Sequence, residues 1–287
     1  MKLQGCLTAL VTPFDETGKI DFESLRRLIR FQLENNVDGL VVLGTTAETP
    51  TLKDWEKEEI IRIAVNETKS NIPIIAGVSS NDTAVCENTA QKWEKMGADA
   101  LLVLSPYYNK ANENGMRLHF EKIADSVKIP IILYNVPSRT GCKITPDVAK
   151  SLLQHSNIIG IKDAGGDIAY TMDIAQYVSD SFTLLSGNDD MVIPTLSVGG
   201  KGVISVISNL IPQEWSKMVR LYPEGKSEEA LKIQMKYLDL IKALFCEPNP
   251  IPIKTAMGMP RFRLPLCPMM PENAEKLRKC MKAVGLC

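Results

Sequence analysis

The sequence lacks the features that mark several classes of protein. Its 287 residues include two histidines, too few for a chemistry built on several of them, and seven scattered cysteines without the C-x-x-C pair typical of a zinc cage. No apolar run reaches the roughly 18 residues that a membrane-spanning helix needs, and the N-terminus lacks the long apolar core of a signal peptide. We therefore expect reduced thiols, no metal site, no membrane contact and a cytoplasmic location.

An excess of charge of either sign is also absent, since 33 basic and 34 acidic residues give a formal net charge of −1. Binding to nucleic acid or to an anionic membrane needs a clustered basic surface, so neither partner is expected. Hydrophobic residues make up 45% of the chain and charged residues 23%, which is typical of a globular protein with one large domain or two small ones.

A repeating unit organises most of the chain. Short apolar runs alternate with longer stretches in which the apolar residues have helical spacing. The runs are apolar almost throughout, which is typical of strands buried on both faces of a parallel sheet. Eight such units predict an α/β fold, a TIM (β/α)8 barrel. The eight runs cover residues 7–11, 39–43, 72–77, 100–104, 130–134, 158–162, 182–185 and 202–206.

Helix-start signals agree with this alternation. Asp21 and Asp82 are suited to cap the helices that follow them, and Pro146 after Thr145 fits a first helical turn. An open doubly wound sheet is the alternative, but it usually has five or six strands and a G-x-G-x-x-G turn after the first one. That turn does not follow the first run here, so the barrel is favoured.

The alternation stops after Pro223. Three helical patterns follow, with a proline-rich turn between the first and the second. We expect a barrel domain over residues 1–225 and a C-terminal helical extension over residues 226–287 that packs on the barrel. The three helical patterns cover residues 226–245, 253–257 and 272–284.

Reactive groups of a βα barrel lie at the carboxyl ends of its strands. Lys162 ends the sixth run, inside an otherwise apolar segment. Desolvation favours the neutral form of a lysine amine, and a neutral amine can attack a carbonyl carbon. Taken alone, the residue is more simply interpreted as a strand-end lysine paired with an acid, since ion pairs outnumber catalytic amines.

Other strand-end residues have a structural and a functional interpretation side by side. Tyr134 is either a core aromatic with its hydroxyl hydrogen-bonded or a phenol that transfers protons beside the amine. Thr45 and Thr46 either cap the next helix or bind a small carboxylate. Arg139, in a loop bounded by proline and glycine, is either a surface arginine or a bidentate carboxylate ligand.

Several of these segments together resemble a known family. They are GTTAE at 44–48, YNVPSRTG at 134–141, GIK at 160–162, SGND at 186–189 and EPNPIPIK at 247–254. On these motifs the sequence, from residue 7 to its end, resembles the 4-hydroxy-tetrahydrodipicolinate (dihydrodipicolinate) synthases among the pyruvate-dependent Schiff-base lyases. The resemblance implies a βα barrel that condenses pyruvate with L-aspartate 4-semialdehyde in diaminopimelate and lysine synthesis. The implied reaction requires no metal and no bound organic cofactor.

The resemblance also implies catalytic roles for four residues. Lys162 would form the imine with pyruvate, and Tyr134 would move protons to and from it. Thr45 and Tyr108 would complete a proton relay to solvent. Tyr108 would reach the site from a neighbouring subunit, so the working unit would be at least a dimer and commonly a tetramer, a dimer of dimers.

Five further residues would bind the substrates. Thr46 and the backbone at Ile204 would hold pyruvate. Arg139 would hold the carboxylate of the semialdehyde, with Gly187 and Asn249 beside it.

The sequence departs from the family pattern at two kinds of position. Ala47 replaces a usual glycine, and Gly165 ends a segment that commonly reads Glu-Ala-Thr; neither change removes a reactive group. In the lysine-feedback pocket of the family, Asp54, Lys57 and Val85 stand where inhibited members carry histidines and a glutamate. We therefore expect weak or absent feedback by lysine.

Two rival interpretations stay open at this point. One is a sister aldolase, an N-acetylneuraminate or 2-keto-3-deoxy sugar-acid lyase, which shares Lys162 and Tyr134 but generally lacks Arg139 in this setting. The other is a non-catalytic barrel that binds small keto acids and could dispense with Lys162.

Overall fold

A computed structural model describes residues 3–286, in which eight parallel strands close into a barrel in the order β1 to β8. Strand β1 pairs with both β2 and β8, and this pairing closes the sheet. The prediction of a TIM (β/α)8 barrel with a C-terminal helical extension is confirmed. The strands are β1 Gly5–Ala9, β2 Gly39–Val42, β3 Ile74–Val78, β4 Ala100–Leu104, β5 Ile131–Asn135, β6 Ile158–Asp163, β7 Thr183–Ser186 and β8 Gly202–Ser205.

Twelve α-helices lie within the described residues, and short 3-10 turns follow β2, β7 and β8. The helices are α1 Phe22–Glu34, α2 Asp54–Thr68, α3 Thr83–Lys95, α4 Glu113–Asp125, α5 Pro137–Thr140, α6 Pro146–Leu152, α7 Ile168–Ala175, α8 Val192–Ser197, α9 Pro212–Leu221, α10 Ser227–Leu244, α11 Ile251–Ala256 and α12 Pro271–Ala283. Each of them is too short or too polar to span a membrane.

The strands are apolar throughout because both of their faces are buried. Alternate residues such as Leu7, Val41 and Leu102 point inward and form a core inside the barrel. Their neighbours along the strands, such as Cys6 and Leu40, belong to the core between the barrel and its helices. Two cores on opposite faces of one sheet explain why the runs show no alternation of polar and apolar residues.

The helix starts expected from the sequence are confirmed. The Asp21 side chain accepts a hydrogen bond from the backbone N–H of Ser24, and that of Asp82 accepts one from Ala84. Helix α6 begins at Pro146, and Thr145 caps it. Capping side chains of this kind satisfy backbone donors that the first turn leaves unpaired.

The C-terminal extension consists of α10, α11 and α12. Helix α10 buries Tyr237 and Leu240, and its packing against α9 ties the extension to the barrel. Helix α11 begins at Ile251, earlier than the predicted residue 253, because Pro252 is accommodated in a first helical turn, where no backbone N–H is needed. The division of the chain at residue 225 stays a prediction; it falls between α9 and α10, and Cys287 lies outside the described residues.

Candidate active site

A cavity of about 140 Å³ opens at the carboxyl ends of the barrel strands. Seven of the nine residues singled out from the sequence line it, although they come from five separate parts of the chain. These seven are Thr45, Thr46, Tyr134, Arg139, Lys162, Gly187 and Asn249.

Lys162 and Tyr134 face each other on neighbouring strands. They are register partners of β6 and β5, and the Lys162 Nζ lies 4.4 Å from the centre of the Tyr134 ring. Both side chains are more than nine-tenths buried. None of the ion pairs formed within residues 3–286 includes Lys162. The amine is therefore held by packing beside a phenol and opens onto the cavity, which is the setting of a nucleophile rather than of a structural ion pair.

Thr45 and Thr46 begin a 3-10 turn directly after β2. The turn does not cap α2, for which Lys53 is the capping residue, so that structural interpretation of the two threonines is wrong. The side-chain amide of Asn249 donates a hydrogen bond to Thr46 Oγ1 over 2.9 Å. Because the threonine oxygen accepts this bond, its own O–H can donate to a ligand.

Asn249 connects the threonine turn to the arginine at the cavity mouth. Its backbone carbonyl accepts a hydrogen bond from Arg139 Nη2 over 3.3 Å, while its side chain reaches Thr46. The other side-chain atom, Asn249 Oδ1, is buried and has no partner within residues 3–286. Buried polar atoms are normally satisfied, so this oxygen is an acceptor available to a bound molecule.

Arg139 lies in a short helix, α5, and not in the irregular loop that its flanking residues predict. Pro137 occupies the first turn, where its missing N–H costs nothing, and Gly141 ends the helix at a φ of +70°. Thr140 donates its hydroxyl to the carbonyl of Val136 and tightens the turn. The helix places an exposed guanidinium at the rim of the cavity.

Gly187 follows β7 where the chain passes very close to the end of β6. Its N–H donates to the carbonyl of Asp163 over 2.6 Å. A Cβ at this position would come within 2.6 Å of the Cβ of Ala164, so a larger residue would push the two strand ends apart. The glycine thus allows the cavity wall to close tightly next to Lys162.

Asp163 points away from the cavity although it follows Lys162 directly. Its carboxylate accepts hydrogen bonds from Asn135 Nδ2, Thr171 Oγ1 and the N–H of Gly165. Burial raises the pKa of Asp163, while these donors oppose the shift. The segment 163–165, which commonly reads Glu-Ala-Thr in the family, therefore has its polar contacts behind the lysine and not in the cavity.

Two of the nine residues do not line the cavity. Ile204 lies within β8, where its side chain packs in the inner core, and Val206 lines the cavity wall instead. Tyr108 is 89% exposed and adopts a left-handed φ of +65°, which costs free energy for a residue other than glycine. The relay through Tyr108 of a neighbouring subunit stays a prediction.

The three residues of the expected feedback pocket do come together. Asp54, Lys57 and Val85 line a separate cavity of about 310 Å³, in which Lys57 Nζ lies 3.3 Å from Asp54 Oδ1. The only carboxylate among these three residues is thus already paired with an amine of the chain.

Some residues of the main cavity carry no signal in the sequence. Asn188 and Ser138 lie inside the SGND and YNVPSRTG motifs and could have been found there, but Phe245 lines the cavity without any such mark. Phe245 comes from the end of α10, far along the chain, and only the packing of the extension brings it to the site. Within residues 3–286, no group of three or more His, Cys, Asp or Glu side chains is arranged to hold a metal ion.

Comparison with known proteins gives a consistent result. The model of the dihydrodipicolinate synthetase family matches residues 2–285. A 4-hydroxy-tetrahydrodipicolinate synthase of Alkaliphilus oremlandii is 46% identical over 284 residues, covering 97% of this chain and 98% of its own length. The structure of the corresponding synthase of Methylacidiphilum fumariolicum is 42% identical and superposes with a TM-score of 0.96, covering 99% of this chain and 96% of its own. A monomeric dihydrodipicolinate synthase variant superposes with a TM-score of 0.97 at 38% identity, covering 99% and 98%.

Proposed function

The chain belongs to the dihydrodipicolinate synthetase family and is a lyase, and we propose that it condenses pyruvate with L-aspartate 4-semialdehyde. The observation that carries this proposal is the buried amine of Lys162, which has an aromatic neighbour, no acidic partner in the described chain, and a cavity in front of it. The relatives are named as synthases of this kind, which favours this reaction over that of a sister sugar-acid aldolase.

The chemistry begins at Lys162. Its amine attacks the C2 carbonyl of pyruvate, water leaves, and the resulting iminium accepts electrons when a C3 proton is removed. The enamine carbon then attacks the aldehyde of the second substrate. Attack by the amine of that substrate at C2 finally closes the ring and releases Lys162.

Tyr134 would transfer the protons of these steps, and the short distance of 4.4 Å between its ring centre and the lysine amine supports this role. Thr45, which also lines the cavity, would pass protons onward to Tyr108 of a second subunit. The high exposure of Tyr108 supports a homo-oligomer, and we propose a tetramer built as a dimer of dimers. We also propose a cytoplasmic enzyme, since six cysteines of the described chain are free thiols.

The carboxylates of the two substrates would bind at different depths of the cavity. Thr46 and the backbone at Ile204 would hold the carboxylate of pyruvate near Lys162. Arg139, at the mouth, would hold the carboxylate of the semialdehyde, with Gly187 beside it. The unpartnered Asn249 Oδ1 could then accept a hydrogen bond from the substrate amine.

We further propose that lysine feedback is weak or absent. An amine bound in the cavity formed by Asp54, Lys57 and Val85 would need a free carboxylate, whereas Asp54 is paired with Lys57.

Borohydride trapping tests the reaction most directly. Reduction in the presence of labelled pyruvate should add one pyruvate-derived mass to the peptide that contains Lys162. A coupled assay should then show turnover with pyruvate and L-aspartate 4-semialdehyde. Turnover only with N-acetylneuraminate or a 2-keto-3-deoxy sugar acid would replace this proposal by the sister reaction, and the absence of any adduct would refute the imine.

A further inference from the structure

A buried ion pair connects the C-terminal extension to the threonine turn. Lys254 Nζ lies 2.6 Å from Glu48 Oε1, and both side chains are fully buried. The same amine donates to the carbonyl of Arg261 over 2.5 Å and lies over the rings of Phe14 and Phe262, at 4.3 and 4.8 Å. The surroundings of the amine are thus filled by protein groups, and the pair does not line the active-site cavity.

Glu48 holds a conformation that a glutamate rarely adopts. Its φ of +56° and ψ of +34° are left-handed, and it joins the 3-10 turn that contains Thr45 and Thr46 to the next turn. Such a residue costs free energy and persists only where surrounding contacts hold it in place. The salt bridge to Lys254, together with the bond from the Arg263 N–H to Glu48 Oε2, supplies those contacts.

The two partners of the pair belong to the same two segments that meet inside the site. Glu48 follows Thr46 by two residues, and Lys254 follows Asn249 by five, with α11 beginning between them. The Asn249–Thr46 hydrogen bond therefore joins the segments at the cavity, and the Lys254–Glu48 pair joins them again in the interior behind it.

We propose that Glu48 and Lys254 are positioning residues for pyruvate binding: their buried pair fixes the turn that presents Thr46 and the segment that presents Asn249. This inference rests on the proposed function. A buried ion pair is a poor source of stability compared with well-packed apolar residues, because both charges must be desolvated. Its place behind two substrate-contacting segments gives it a geometric role in addition.

Steady-state kinetics of four variants test the inference: Glu48→Gln, Lys254→Met, the double variant of both, and Glu56→Gln as the control. Each single change at the pair leaves one buried partner uncompensated, so both stability and geometry should suffer. The double variant removes both charges while keeping similar volumes, so its melting temperature should recover relative to Lys254→Met. The KM of the double variant for pyruvate should stay about tenfold or more above that of the parent, while its kcat changes much less. A rise of this size is expected when a hydrogen bond to a charged ligand is lost.

The control breaks the ion pair between Glu56 and Arg263, a residue that belongs to the C-terminal extension as Lys254 does. The guanidinium of Arg263 binds Glu56 through two contacts of 2.7 Å, whereas the bond of Arg263 to Glu48 is made by its backbone N–H. Glu56 lies on α2 and, within residues 3–286, forms no hydrogen bond to the turn that contains Thr45 and Thr46. Glu56→Gln should therefore lower the melting temperature and leave the KM for pyruvate unchanged.

The outcomes distinguish a failure of the positioning role from a failure of the proposed function. Recovery of both melting temperature and KM in the double variant would overturn the positioning role, as would an equal rise in KM in the Glu56→Gln control. If the parent protein forms no borohydride-trapped adduct at Lys162, the proposed function itself fails, whatever the variants do. If a single variant does not fold, the double variant carries the test.

Discussion

Lys162 and Lys254 are two buried lysines in opposite surroundings. Lys254 has a carboxylate at 2.6 Å, a carbonyl at 2.5 Å and two aromatic faces, and its side chain is fully buried. Lys162 has one aromatic face, no ion pair within the described residues, and a cavity in front of its amine. Burial lowers the pKa of Lys254, and the Glu48 carboxylate opposes that shift.

The difference shows that burial alone does not identify a reactive lysine. Both residues follow short apolar segments, so their local sequences are alike. What distinguishes them is whether the fold supplies a carboxylate or leaves space for a second molecule. A buried amine with a carboxylate holds two segments together, and a buried amine facing a cavity is available for chemistry.

The largest effect is expected when the lysine at the cavity is removed. Lys162→Met should lower kcat/KM by about a thousandfold or more, because the covalent intermediate can no longer form. Its melting temperature should not fall, since a buried amine without an acidic partner is replaced by an apolar chain of similar size. Enzyme assays and calorimetry check this, and a pyruvate adduct that persists at another lysine after borohydride treatment would contradict it.

Removing the other lysine should have the converse result. Lys254→Met leaves the Glu48 charge buried without its partner and should lower the free energy of unfolding by about 3 to 5 kcal/mol. Urea unfolding at a fixed protein concentration measures the loss. Lys57→Met is a suitable control because it breaks an exposed pair with Asp54, which should matter by less than about 1 kcal/mol. Equal losses in the two variants would mean that burial of the ion pair does not determine how much free energy of unfolding is lost.

His119 is a third buried basic residue, besides Lys162 and Lys254. Burial lowers its pKa to about 4, and its Nδ1 lies 2.9 Å from Thr83 Oγ1. The unfolded chain therefore binds a proton that the folded chain excludes, so stability is lost as the pH falls from about 6.5 to 4, by up to about 3 kcal/mol.

Unfolding experiments across this pH range provide the check. His119→Gln should remove this part of the acid sensitivity, whereas His155→Gln, at the exposed contact with Asp125, should keep it. Identical pH profiles for the parent and His119→Gln would rule out this origin.

The smallest effect on turnover is expected when free lysine is added to the enzyme. Because Asp54 is already paired with Lys57, sub-millimolar lysine should leave turnover unchanged. Val85→Glu returns a carboxylate to that cavity and should make inhibition by lysine measurable in the same assay. Inhibition of the parent enzyme at these concentrations would show that the existing pair opens to admit the ligand.

Much of the fold could be predicted because its signals are local. The apolar runs located all eight strands to within one or two residues, and the caps at Asp21, Asp82 and Thr145 located three helix starts. Lys162 and Tyr134 could be singled out because a strand end in a barrel faces the site. Helix α5 was missed because four residues, the first of them a proline and followed by a glycine, give no helical period.

The contacts that complete the site could not be predicted in this way. Asn249 reaches Thr46 across 203 residues, and Lys254 reaches Glu48 across 206. Nothing in the spacing of a single sequence couples positions so far apart. Glu48 in particular is an ordinary acidic residue in the sequence, and only the folded chain shows that it is fully buried opposite an amine.

The same sequence separation has a consequence for the order in which the protein is completed on the ribosome. Glu48 is synthesised early, but its partner follows 206 residues later, which at roughly 5 to 20 residues per second is a delay of about 10 to 40 s. Over that interval the nascent chain carries the threonine turn without the cation that holds it. Nascent chains stalled before Lys254 has left the exit tunnel should therefore expose this turn to proteases, and release of the remaining chain should protect it.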